Sequence, residues 1–348
     1  MKTAFLLLSL YAASPCQLAA GEFFPVCMYG ITKPAELAVL KKAGFNCFQS
    51  YEQAPEALAA LAAGADKAGL KMVAMPDRVI GSAFDKQARK WPMLAWYLYD
   101  EPEVRRLPLA DLQALDKRVK DWAPGQRTAF VMGAGLAAFT YGGAADALMV
   151  DWYPVPHLPL ESVGQQVTLL KEGAKVMDAA NPAKPVWAVL QAFDWMEFPQ
   201  RKARRIGRFP AAWEIRFMTY LALARGANGI FYFKYASQDN KPLPETPERW
   251  AMFEAMAAEV NRLGPLLAKG KTVEPPPGLP GALSATVFKA RGHKYMILLN
   301  PALANVPVDV EALKGWRPLF EEKRSIAELL PGNKRNYFPP YRVLILEN

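Results

Sequence analysis

Two side chains that carry much of enzyme chemistry are scarce here: histidine occurs twice in 348 residues, as His157 and His293, and cysteine three times, as Cys16, Cys27 and Cys47. That scarcity argues against a His-rich metal centre, a Cys/His zinc module and a Ser-His-Asp triad. Nothing in the chain calls for a metal or another cofactor. Long apolar runs are missing after the N-terminus, so no bilayer-spanning helix is expected. Acidic residues are outnumbered, 33 against 42 basic ones, for a formal charge of +9. The excess favours anionic partners or surfaces without naming one, and no nucleic-acid-binding motif accompanies it.

The first 20 residues have the pattern of a cleavable export signal: Lys2, an apolar run over residues 4–13, then the small residues Ala19 and Ala20 before Gly21. Pro15 beside Cys16 fits a lipid anchor poorly, so a soluble protein of the periplasm or the medium is expected. Cys27 and Cys47 fall on neighbouring core strands. Two buried thiols are the expected state there, although an oxidising compartment permits a disulfide.

From Phe23 onward short apolar runs alternate with amphipathic segments. Strands are expected over residues 24–31, 47–51, 71–75, 95–99, 128–132, 147–150, 186–190 and 230–233. Helices are expected over 34–42, 55–68, 109–122, 160–179, 211–224 and 247–267, with room for a short helix after the fifth strand. Eight strand units with helical returns predict an α/β fold, a closed (β/α)8 TIM barrel over residues 21–270. Pro275, Pro276, Pro277 and Pro280 then mark a stiff linker. Short β runs over 285–289, 295–299, 306–310 and 341–346 predict a small antiparallel β domain over 271–348.

One stretch organises the chemistry. Residues 95–103, AWYLYDEPE, are an aromatic strand ending in Asp100, Glu101 and Pro102. Proline cannot donate to a strand ladder, so the two acids belong at the C-terminal lip, where barrel enzymes hold their reactive groups. The other lips present Glu52, Asp77, Asp151, Gln191, Asp194 and Lys234, interleaved with Tyr51, Tyr99, Trp152, Tyr153, Trp195, Tyr232 and Tyr235. Rings pack on sugar C–H faces while carboxylates accept from hydroxyls, so this mixture suits a carbohydrate. The plainer alternative is that Asp100 and Glu101 cap the next helix or pair with Arg105 and Arg106. Glu214 and Arg216, on one helix, read as a structural pair. The basic residues 201–208, RKARRIGR, either steer an anionic glycan or form a solvated charge run.

The runs YLYDEPE, VDWYPV, WAVLQAFDW and EIRFMTYLALARGANGIFYF resemble the TIM-barrel glycoside hydrolases, most nearly clan A-like barrels with DEP at strand four. The resemblance spans residues 23–237. It implies hydrolysis of a glycosidic bond, with Glu101 as the proton donor and Asp100 near the sugar 2-hydroxyl. It also implies a glutamate nucleophile at the seventh lip, but this chain has Gln191, Ala192, Phe193 and Asp194 there. Asp151, which directly ends an apolar strand, is the first choice for the second carboxylate, and Asp194 the second. Glu52, Asp77, Tyr99, Trp152, Tyr153, Gln191, Trp195, Tyr232 and Lys234 are candidate substrate contacts. Two rival readings follow from the same residues: a carbohydrate-binding barrel without turnover, and a lyase or aldolase built on Lys234.

Overall fold

The computed structural model describes residues 23–198, 206–237, 239, 241–321, 324–332 and 336–348. The first 20 residues, where an export signal is expected, and residues 201–205 of the basic loop lie outside that set. Eight parallel strands close into a barrel in sequence order: β1 (Val26–Met28), β2 (Cys47–Ser50), β3 (Lys71–Ala74), β4 (Met93–Asp100), β5 (Thr128–Met132), β6 (Ala147–Trp152), β7 (Val186–Gln191) and β8 (Ile230–Phe233), with β8 pairing back to β1. The returns are α1 (Glu36–Lys42), α2 (Pro55–Ala68), α3 (Asp85–Ala88), α4 (Leu109–Trp122), α5 (Ala138–Tyr141), α6 (Ser162–Met177), α7 (Ala212–Ala224) and α8 (Pro247–Lys269).

Local chemistry sets several of these limits. Pro55 begins α2, where its missing N–H costs nothing, and Gly69 ends it in the left-handed conformation at φ 64°. Residues 133–146, between β5 and β6, hold the one-turn α5, as the glycine-rich segment predicts.

Each barrel strand sends alternate side chains to opposite sides. Tyr29, Val73, Tyr97, Val131, Met149, Val189 and Phe231 fill the interior together with Cys27 and Cys47. Met28, Trp96, Phe130, Leu148, Leu190 and Tyr232 face the helices. Cys27 and Cys47 are register partners on β1 and β2, 4.5 Å apart at Cα, and they form a disulfide. The expected pair of free thiols is therefore corrected: parallel pairing brings the two Cβ atoms side by side within bridging range.

After α8, five strands form an antiparallel sheet in the order β13-β15-β11-β10-β9, and β12 pairs with β14. These are β9 (Lys271–Val273), β10 (Ser284–Ala290), β11 (His293–Leu299), β12 (Val306–Val308), β13 (Arg317–Pro318), β14 (Asn336–Phe338) and β15 (Val343–Glu347). Phe288, Ile297, Val343 and Ile345 join the core shared with the barrel helices, whereas Val287, Met296, Leu344 and Leu346 form a separate core on the opposite face. Arg216 of α7 ties the sheet down by donating to the Val343 carbonyl at 2.8 Å. The expected Glu214–Arg216 pair is replaced by two others: Arg216 pairs with Glu259 at 3.1 Å, and Glu214 takes two hydrogen bonds from Arg208 at 2.5 and 2.6 Å. Residues two apart on a helix point away from each other, which is why each found another partner.

Candidate active site

The lip of β4 carries three acids with different environments. Asp100 accepts hydrogen bonds from the Tyr97 hydroxyl at 2.6 Å and the Tyr51 hydroxyl at 3.2 Å, and it pairs with Arg105 at 3.0 Å. Arg105 Nε also donates to the Asp100 carbonyl at 2.8 Å. Glu101 stands in the left-handed region at φ 52°, which a side chain with a Cβ adopts only against strain. Its N–H donates to the Val131 carbonyl at 3.0 Å and its carbonyl accepts from Arg105 N at 3.0 Å, fixing that backbone on both sides. A Cβ at Gly133 would come within 3.0 Å of Glu101 Oε1, so the glycine leaves the carboxylate its seat. Glu103 holds the same loop by accepting from Ala134 N at 3.1 Å. Burial raises its carboxyl above the ordinary range, against the backbone donors that favour the anion.

Asp151 projects from β6 on the interior side, in step with Met149 and Tyr153. Its Oδ1 is buried without a hydrogen-bond partner. Burial, then the Glu101 charge, then the Asp100 charge push its carboxyl well above the usual range, with the Tyr153 hydroxyl pulling the other way. Burial likewise keeps the hydroxyls of Tyr29, Tyr97 and Tyr153 protonated.

These groups share a cavity of about 350 Å³. Asp100, Glu101, Asp151 and Arg105 supply its polar wall, and Tyr29, Tyr51, Tyr153, Phe193, Trp195, Phe198 and Phe233 supply the rings. Tyr153 stacks on Phe233 at 5.5 Å, and Phe193 meets Tyr153, Trp195 and Phe198 edge-on at 5.0 Å each. A larger cavity, about 590 Å³, lies around the opposite strand ends, where Phe24, Leu94 and Trp187 approach β9 and β10. Glu274 is the single acid on its wall among the described residues, so it has no pair of carboxyl groups for chemistry. Among the described residues no cluster of three or more His, Cys, Asp or Glu is placed to hold a metal ion.

Of the residues singled out from sequence, the cavity gathers Asp100, Glu101, Asp151, Tyr153 and Trp195, with Tyr51 beside them. Others lie elsewhere. Tyr232 faces the helices, fully buried, with its hydroxyl 2.8 Å from Thr219 Oγ1. Trp152 also points outward and donates to Ser162 at 2.8 Å. Tyr99 packs against the outer core. Gln191 is buried and spends its amide on Val155 and Phe193 backbone atoms. Asp194 caps the one-turn segment Trp195–Glu197, accepting from Met196 N at 2.8 Å, while Glu197 accepts from Asp194 N at 3.1 Å. Asp77 lies at the surface, 3.8 Å from Arg118. Glu52 is absent from the cavity wall. Lys234 sits outside the wall with its ammonium 5.6 Å from the Phe198 ring; burial lowers its pKa, opposed by Glu197.

Tyr29, Tyr97, Phe193, Phe198 and Phe233 were missed. Alternation from Asp151 identifies Tyr153 as interior and Trp152 as exterior; the same count along Ile230–Phe233 separates Phe231 and Phe233 from Tyr232.

No family model matches this chain, and no curated protein sequence does. Solved structures do share its architecture. A protein described only as a glycoside hydrolase superposes with a TM-score of 0.63 at 14% identity, over 93% of this chain and 92% of that one. A glycoside hydrolase family 5 protein from Bacteroides vulgatus ATCC 8482 gives 0.62 at 12% identity, over 93% and 89%. An α-amylase from Geobacillus thermoleovorans, complexed with acarbose, gives 0.53 at 11% identity, over 90% of each. The structural neighbours are thus TIM-barrel glycoside hydrolases, and at these identities the likeness is one of fold.

Proposed function

We propose that the protein is an exported glycoside hydrolase whose reaction runs between Glu101 and Asp151. The observation that carries this reading is the aromatic cup at the β4 and β6 lips, whose wall holds both carboxyl groups. Hydrolysis needs one carboxyl to protonate the departing oxygen. It needs a second, ionised, either to attack the anomeric carbon or to take a proton from the attacking water. Two acids on one cavity wall that interact can divide a single proton between them, which supplies both states at once. Burial favours Asp151 as the holder of that proton. The resemblance implies the opposite division. Asp100, bound by Arg105 and two tyrosines, orients the wall beside them.

A panel of glycans and aryl glycosides tests the reading with Glu101→Gln and Asp151→Asn. Each substitution is expected to lower kcat/KM by about 10²- to 10⁴-fold, the usual size of an acid–base contribution. A dinitrophenyl leaving group needs no protonation, so activity on it should recover in Asp151→Asn; recovery in Glu101→Gln instead would exchange the two roles. Equal turnover in both variants and the wild type would sink the assignment of these two residues, and no turnover of any glycan would sink the hydrolase reading. Glycan binding without turnover would favour the non-catalytic barrel, a reading supported by Gln191 at the seventh lip. Trapping of Lys234 by borohydride with a carbonyl substrate would favour the lyase, for which its lowered pKa speaks.

The positive net charge favours an anionic glycan. A preference for acidic over neutral glycans that fades with salt is the expected signature. Export draws support from the leader-like first 20 residues and from the Cys27–Cys47 disulfide, which belongs to oxidising compartments.

A further inference from the structure

We infer that Trp213 and Tyr341 form a second carbohydrate-binding site, a platform for a polysaccharide chain on the rim of the catalytic face. Its ligand class rests on the hydrolase reading; its geometry does not. Trp213 lies in the first turn of α7, which follows the C-terminal end of β7, so it sits at the same end of the barrel as Glu101 and Asp151. It is not part of the cup wall.

Trp91, Trp96, Trp122, Trp187 and Trp250 are buried, but Trp213 keeps 52% of its surface exposed. Tyr341, from the segment entering β15, stacks on it at 5.8 Å with an interplanar angle of 17°. Phe217, one turn along α7, braces Tyr341 from the side at 4.9 Å and 66°. Tyr341 itself is held at φ 55°, with its N–H donating to the Asn300 carbonyl at 3.0 Å. The indole is therefore supported on one face and open on the other.

A flat, rigid, half-open indole is suited to the C–H face of a pyranose ring. An acceptor for the ring's hydroxyls stands beside it: Glu161, just before α6 and so on the same rim, receives the Tyr341 hydroxyl at 3.4 Å. An isolated exposed tryptophan would mean little. A braced aromatic stack next to a carboxylate, at the end of the barrel where a glycan would be cut, has the parts of a sugar subsite. Such a site would hold one stretch of a polymer while the cup engages another.

The test uses the full chain carrying Glu101→Gln, so that no glycan is consumed, in native gels cast with soluble starch, mixed-linkage glucan, xylan or polygalacturonate. At least one polysaccharide should retard the protein. Adding Trp213→Ala should weaken the apparent affinity by about tenfold, the scale of one aromatic stacking contact. Trp213→Phe should lose less, and melting curves of all variants should show intact folding. Equal retardation with and without Trp213, or no retardation in any gel, overturns the platform. Retardation through Trp213 by a wild-type protein that hydrolyses none of these glycans would defeat the hydrolase reading alone.

Discussion

Asp151→Asn is expected to make the protein more stable while making it a poorer catalyst. The carboxyl of Asp151 is raised by burial and by the Glu101 and Asp100 charges, and its Oδ1 has no hydrogen-bond partner. An acid whose folded-state pKa lies above its unfolded value of about 3.9 costs the fold nothing below that value. The cost grows as pH rises and is complete above the folded-state pKa. Relieving that cost is worth about 1–3 kcal/mol, the scale of desolvating one buried polar group. With an unfolding entropy of about 2.1 cal/mol/K per residue, that corresponds to a melting temperature higher by about 1.5–4 °C for a chain of this length. Asn keeps the volume and can still accept from Tyr153, so little else changes. Calorimetry of both proteins from about pH 4 to about pH 8 should show the gap opening with pH, while kcat/KM falls by about 10²-fold or more. A variant less stable than wild type at neutral pH, or a gap of the same size at every pH, would refute the electrostatic account of this site.

Two further outcomes test the assignments around the cup. Replacing both Cys27 and Cys47 by Ala opens a link between residues 20 apart in sequence, which should cost about 3 kcal/mol by loop entropy alone; identical melting of the oxidised protein and the double variant would contradict it. Asp194→Ala should cost about 1 kcal/mol through the lost cap and leave kcat/KM within about threefold, whereas a loss of about 10²-fold would return Asp194 to the catalytic set.

The count and type of the barrel elements were legible in the chain because they rest on local chemistry. Apolar runs, helical periodicity, Pro55 and Gly69 act over a few residues, and they placed eight strands and most of their returns, although the first strand, expected over 24–31, is only Val26–Met28 and no helix was expected where α3 lies. Pro102 likewise put Asp100 and Glu101 at a lip. What the chain concealed was direction and partnership. Both sides of a barrel strand are buried and apolar, so Val26–Met28 or Ile230–Phe233 carries little polar–apolar alternation to say which side is inside. Only closure of the barrel turned Tyr29 and Phe233 into the cup and Trp152 and Tyr232 out of it. Register between β1 and β2 decided that two cysteines became a disulfide. The third dimension also gave Asp194 to a cap, Glu214 to Arg208 and Trp213 to Tyr341. The raised carboxyl of Asp151 belongs to the same class of fact, since burial and the charges on β4 exist for it only once the strands have closed.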